Sequence, residues 1–136
     1  MAETCYWTEQ NISIIRGDSK TLEITITKED GTPYIPDVDD RLYFTVKKNL
    51  NETPVVQKFY PYGGIEFNPN NNTFAIEIYP ADTDNLRFAE YLYDVECDFY
   101  STDGRKKLTV LYGAFNVFEE VTTYKDEIQW LFCKQS

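Results

Sequence analysis

Cysteine, carboxylate and aromatic side chains are the groups in this sequence that could carry chemistry, because its 136 residues include no histidine. The three cysteines, Cys5, Cys97 and Cys133, are odd in number and lack CxxC spacing, so neither a complete disulfide framework nor a structural zinc site is predicted. Without histidine there is no His-based triad, no His metal ligand and no common near-neutral proton shuttle. We therefore predict no enzymatic activity, no catalytic residue and no cofactor.

Two acidic clusters could in principle hold calcium through carboxylate oxygens, one at Asp37, Asp39 and Asp40 and the other at Asp82 and Asp84. Neither cluster has the spacing of an EF-hand loop, and solvated loop charge is the favoured interpretation. No pair among the 23 acidic residues can be singled out for glycoside hydrolysis. No metal site is predicted.

Arg16-Gly17-Asp18 spells a tripeptide that some integrin ligands display at a loop tip. The favoured alternative is a tight turn between two strands, in which Gly17 adopts a backbone conformation that other residues avoid and Asp18 caps the turn.

Aromatic side chains near strand ends and in loops are suited to stacking on sugars or to contact with a partner protein. Packing against neighbouring strands is the alternative for each of them. In the middle of the chain these aromatic residues are Tyr60, Tyr62, Tyr100 and Tyr112. Residues 124–136 would form an apolar patch if exposed, so this extension either folds back onto the domain or meets another subunit. The predicted interface residues are Tyr6, Trp7, Tyr124, Ile128, Trp130, Leu131 and Phe132.

Alternating apolar and polar residues indicate the strands that would position these groups. Strands are predicted at residues 11–16, 20–28, 41–48, 54–60, 73–79, 91–100 and 106–121. Residues 65–67 would resume the strand at 54–60, and both would lie at a sheet edge. Gly113 suggests a bulge or kink. One helical turn is predicted at residues 82–86, with Asp82 or Thr83 as its cap.

These elements predict an all-β fold, an immunoglobulin-like Greek-key β-sandwich of about seven strands. The chain is interpreted as one domain, residues 1–136, with a core at about 11–122 and a C-terminal extension at 123–136. Tyr91 or Tyr93 should lie in the core with its hydroxyl bonded to the backbone, and Cys97 should be buried.

The 13 basic and 23 acidic residues give a formal net charge of -10, which repels nucleic acid and anionic membranes. No apolar run approaches the roughly 20 residues of a membrane span, and MAETCYWTEQ lacks the pattern of a signal peptide. We expect neither a nucleic-acid nor a membrane partner, and synthesis in a reducing cytoplasm.

Three stretches resemble a known family, and the match spans roughly residues 12–122. IIRGDSKTLEITITKEDGTPYIPDVDDRLYFTVKK, IEIYPADTDNLRFAEYLYDVE and KLTVLYGAFNVFEEVT are similar, in order, to the immunoglobulin-like N-terminal domain of phage baseplate upper proteins and related small phage or prophage tail proteins. The resemblance implies a non-enzymatic virion protein, made in the bacterial cytoplasm, that docks onto other tail proteins or onto copies of itself. The alternative is a carbohydrate-binding module that recognises host surface glycans through exposed aromatic residues.

Overall fold

The computed structural model describes residues 8–101 and 104–120, and these residues form nine strands and one short helix. The elements are β1 (Thr8–Glu9), β2 (Ile12–Ile15), β3 (Lys20–Ile24), β4 (Arg41–Lys47), β5 (Val56–Tyr60), β6 (Ile65–Asn68), β7 (Thr73–Ile78), α1 (Pro80–Thr83), β8 (Ala89–Ser101) and β9 (Gly104–Phe118).

The strands form two sheets. The larger has the order β1-β9-β8-β4-β5, with β2 also paired to β9, and the smaller has the order β3-β7-β6. β1 and β2 both run parallel to β9, whereas the other pairs are antiparallel. The predicted all-β fold is confirmed.

The core lies between the two sheets and consists of the inward residues of alternating strands. Phe44, Phe74 and Phe115 are completely buried, and burying a side chain of this size stabilises the fold by about 2–3 kcal/mol. The alternation predicted for β4, β7 and β8 is confirmed at every inward position. These positions are Leu42, Phe44, Val46, Phe74, Ile76, Ile78, Tyr91, Tyr93, Val95, Cys97 and Phe99.

The long β8–β9 hairpin carries a bulge, but not at the glycine predicted to cause it. Val95 pairs with Leu111 and Glu96 pairs with Thr109, so Val110 is the extra residue. Gly113 serves the approach of the N-terminal segment instead, because a Cβ there would lie 2.2 Å from the Gln10 carbonyl oxygen. The glycine therefore permits the crossing between β1 and β2.

Three predicted elements differ in where they end, in the sheet they join or in where they begin. The strand predicted at residues 20–28 ends at Ile24. Residues 65–68 do not resume β5 but join the other sheet as β6, paired with β7. The helical turn begins at Pro80 rather than at residue 82, so Asp82 lies inside it and accepts the Tyr79 N–H at 2.7 Å.

The predictions for buried tyrosine and cysteine are confirmed. The Tyr91 hydroxyl donates to the Arg87 carbonyl at 2.8 Å, and the Tyr93 hydroxyl donates to the Gln10 carbonyl. Cys97 is buried and forms no disulfide.

Candidate docking surface

The interface residues predicted from sequence lie outside the described residues. This holds for Tyr6 and Trp7 before β1 and for the five predicted residues of the extension, Tyr124, Ile128, Trp130, Leu131 and Phe132. Their role as an interface stays a prediction.

The outer faces of the two sheets differ in chemistry. On the three-stranded sheet the outward side chains are polar or small, namely Thr21, Glu23, Glu66, Asn68, Thr73, Ala75 and Glu77. On the six-stranded sheet many outward side chains are large, apolar and exposed, namely Ile15, Val55, Phe59, Leu92, Tyr100, Tyr112 and Phe118. Large apolar side chains gathered on one face of a soluble domain are typical of an interaction site. We call this outer face of the six-stranded sheet the docking face.

The register of β5 contributes to the docking face in a way that residue type alone does not suggest. Val56 and Lys58 point inward, and Phe59 points outward with 45% of its surface exposed. Lys58 is only 8% exposed, because Asp82 of α1 neutralises its ammonium group at 2.7 Å and the Tyr79 ring lies 4.9 Å away. Because Asp82 lets Lys58 point inward, the next residue of the strand, Phe59, points to the surface.

A groove with a volume of about 450 Å³ runs across the middle of the docking face. Its lining comes from β4, β5, β8, β9 and the loop between β4 and β5. The side chains that line it are Tyr43, Thr45, Lys47, Leu50, Pro54, Gln57, Leu92, Asp94, Glu96 and Lys107.

Two carboxylates on β8 lie in this groove, between lysines of the flanking strands. Asp94 is opposite Thr45 of β4 and Tyr112 of β9, and Glu96 is the next outward residue along β8. Partial burial raises the pKa of Asp94 above its ordinary value, the Glu96 carboxylate raises it further, and Lys47 opposes both. The Asp94 charge is therefore poorly solvated and would gain from a cation brought by a partner.

At the end of the docking face near the β8–β9 turn, an ion pair lies beside an aromatic ring. The Arg105 Nε lies 2.7 Å from the Asp98 carboxylate, and its guanidinium stacks 4.6 Å from the centre of the Tyr100 ring. Because Asp98 already neutralises the Arg105 charge, Lys47 and Lys107 of the groove are the cations better placed to contact a partner.

The predicted turn at Arg16-Gly17-Asp18 and the special conformation of Gly17 are confirmed, whereas capping by the Asp18 side chain stays a prediction. Gly17 has φ 85° and donates its N–H to the Thr83 hydroxyl at 2.8 Å. The Arg16 guanidinium binds Glu120 at 2.7 Å and the Leu86 carbonyl at 3.1 Å. Its side chain is thus engaged within the fold and is not displayed at a loop tip.

The interpretation of both acidic clusters as solvated charge is wrong in part. Asp40 is buried, where it accepts the Tyr34 hydroxyl and the Asp37 N–H, and Asp82 is paired with Lys58. Their role is to organise loops. Among residues 8–101 and 104–120, no three Cys, Asp or Glu side chains come close enough together to hold a metal ion.

The aromatic residues considered from sequence have different environments. Of the two alternatives left open from sequence, Tyr62, Tyr100 and Tyr112 follow the first, because they are exposed, and the last two lie on the docking face. Tyr60 instead packs edge-on against Phe74, with ring centres 5.6 Å apart. Phe59 was missed, because a lysine side chain is expected to point to solvent, and an outward Lys58 would place the neighbouring Phe59 inside.

No protein-family model matches the chain, and no curated protein matches it. The only helix in the described part of the chain, α1, has four residues, and no described helix could cross a membrane.

Proposed function

We propose that this chain is a non-enzymatic assembly protein of a phage or prophage virion, a tail or baseplate component that binds neighbouring proteins through the docking face. The observation that carries the docking role is the contrast between the two outer faces: the grooved face carries large exposed apolar side chains, and the outer face of the three-stranded sheet carries only polar or small ones. A rigid sheet is suited to this role because its side chains need little ordering on binding.

The proposal includes an immunoglobulin-like Greek key, and the strand order supports it. In that fold the strands B-E-D form one sheet and G-F-C-C′ the other, an order that β3-β7-β6 and β9-β8-β4-β5 match. Tyr91 also fits the tyrosine corner, since it lies near the start of β8 and binds a carbonyl four residues upstream.

The virion context rests on the resemblance described from sequence, and contacts between the resembling motifs support a common fold. Gly17 of the first stretch binds Thr83 of the second, and Arg16 binds Glu120 of the third. The three motifs therefore meet at one end of the domain, where each has a structural reason for its residue types.

The lining of the groove favours a second candidate, the binding of host glycans. Tyr43 offers a ring, and Gln57, Asp94 and Glu96 offer amide and carboxylate groups of the kind that bind sugar hydroxyls. Glycan-array binding that is lost in Tyr43→Ala and Asp94→Ala, without any virion association, would favour this function over assembly.

The assembly role is tested by incorporation of variants into virions produced from the genome that encodes the chain. Leu92→Asp puts a charge in the groove, and Ala75→Asp puts the same charge on the polar outer face of the three-stranded sheet. We expect antibody labelling of wild-type and Ala75→Asp particles and loss of labelling for a folded Leu92→Asp chain. Particles without label for the wild type would contradict a virion role, and equal labelling of both variants would contradict the docking face.

A further inference from the structure

We infer that the docking face pairs two copies of this chain face to face, in a symmetric dimer. This inference rests on the proposed docking role of the face and names its partner. In a twofold dimer the same surface is used by both copies, so the surface must be complementary to itself.

The charges in the groove have this property. Asp94 and Glu96 lie on the central strand β8, whereas Lys47 lies on β4 and Lys107 lies on β9. Acidic and basic groups are thus equal in number within one groove and lie on different strands. A second copy turned by 180° about an axis in the plane of the face can bring its lysines to the carboxylates of the first.

Elsewhere the chain repels itself. The net charge of -10 opposes the approach of two copies in most orientations, and the outer face of the three-stranded sheet carries Glu23, Glu66 and Glu77. Facing the two grooves toward each other directs these acidic sheets away from the contact. The charge distribution therefore favours this orientation and disfavours the others.

Apolar contact would supply the attraction that charge pairing alone does not. Leu50, in the loop after β4, is 78% exposed at the rim of the groove, and Leu92 lies on its floor. Val55, Phe59 and Tyr112 extend the apolar surface on both sides. Two such faces pack as sheets do in a sandwich, and the contact buries side chains that are exposed in the single chain.

A charge swap tests the inference on the full chain. The basic variant carries Asp94→Lys and Glu96→Lys, and the acidic variant carries Lys47→Glu and Lys107→Glu. Each variant repels a copy of itself on the docking face, whereas the two variants attract one another. The control is Glu23→Lys with Glu66→Lys, which reverses two charges on the other sheet.

Sedimentation equilibrium from about 1 to 100 µM covers the range of a standard-sized interface. We expect the wild type and the control to dimerise, each groove variant alone to dimerise at least tenfold more weakly, and an equimolar mixture of the two to recover a heterodimer. Circular dichroism verifies that each variant is folded.

A wild-type chain that stays monomeric throughout this range would overturn the inference, as would a mixture that associates no better than its components. Neither result affects the virion-labelling comparison of Leu92→Asp and Ala75→Asp. Loss of labelling for Leu92→Asp alongside a monomeric wild type would keep the docking face and assign it to a different chain.

Discussion

The Lys58 ammonium lies 2.7 Å from the Asp82 carboxylate of α1, whereas the other inward residues of β5 are Val56 and Tyr60. The same carboxylate accepts the Tyr79 N–H at the start of α1. One side chain thus begins the helical turn and neutralises a buried cation. Because successive residues of a strand face opposite sides, this pair also determines that Phe59 faces outward.

The first prediction concerns the two partners of this ion pair. Asp82→Asn keeps an oxygen for the Tyr79 N–H but leaves the Lys58 charge buried without a counter-ion, so the free energy of unfolding should fall by about 2 kcal/mol. Lys58→Met removes the charge and leaves a carboxylate that can reach water, and it should cost less. Urea unfolding measures both variants.

The double variant Lys58→Met with Asp82→Asn should be more stable than Asp82→Asn alone, since no charge is left unpaired. Costs that simply add in the double variant would contradict the pairing.

A second prediction follows from the close approach of the N-terminal segment to β9. Gly113→Ala would place a methyl group 2.2 Å from the Gln10 carbonyl oxygen, and backbone on both sides must move to relieve the contact. We expect a loss of about 3 kcal/mol or more. The matched control is Gly31→Ala, where φ is 90° but no atom lies within 4 Å, so only backbone strain of about 1–2 kcal/mol applies. Equal losses in thermal or urea unfolding would mean that the contact is relieved at no cost.

The sequence predicted the inner faces of the long strands well, because a period of two is unambiguous when one face is buried and apolar. In β4, for example, Leu42, Phe44 and Val46 alternate with Tyr43 and Thr45, and no other register buries the apolar set. The hairpin of β8 and β9 was predictable for the same reason.

The docking face was not predictable in the same way, because its chemistry depends on contacts between distant residues. Lys58 can point inward only because Asp82, on another element, meets it there. Likewise the close approach at Gly113 depends on how the segment between β1 and β2 lies along β9. A pattern within one segment contains no information on such partners.

A third prediction compares the two buried tyrosine hydroxyl groups. Tyr93→Phe leaves the Gln10 carbonyl without its donor beside β9, and it should cost about 1 kcal/mol or more. Tyr91→Phe likewise leaves the Arg87 carbonyl without its donor, and because Gln10 and Arg87 are both exposed residues, the two losses should be similar. If the two variants are both as stable as the parent in urea unfolding, these hydrogen bonds do not stabilise the fold.

Tyr93 also gives a pH signature. Burial raises the pKa of Tyr93 to about 12 from an ordinary value of 10.0. Above pH 10 the unfolded chain loses this proton while the folded chain keeps it, so the contribution of Tyr93 to stability is lost as the pH rises from 10 to about 12. The difference in unfolding free energy between the parent and Tyr93→Phe should therefore shrink across this interval.

The last prediction concerns Asp94 and is made for the single chain, at a dilution at which sedimentation finds only monomer. Burial and the neighbouring Glu96 carboxylate raise the pKa of Asp94 from the ordinary value of 3.8. For a carboxyl group with a raised pKa, the folded state opposes ionisation more than the unfolded state does. The charge therefore lowers stability at neutral pH, and this cost disappears as the pH falls through the folded pKa toward 3.8.

Asp94→Asn, which keeps the shape, should raise the urea midpoint at pH 7 and leave it unchanged near pH 3, with Glu66→Gln on the other sheet as the control. A docking role gives such a charge a use, because a cation brought by a partner offsets its cost. An Asp94→Asn chain that is no more stable than the parent at pH 7 would show that the Asp94 charge does not destabilise the monomer.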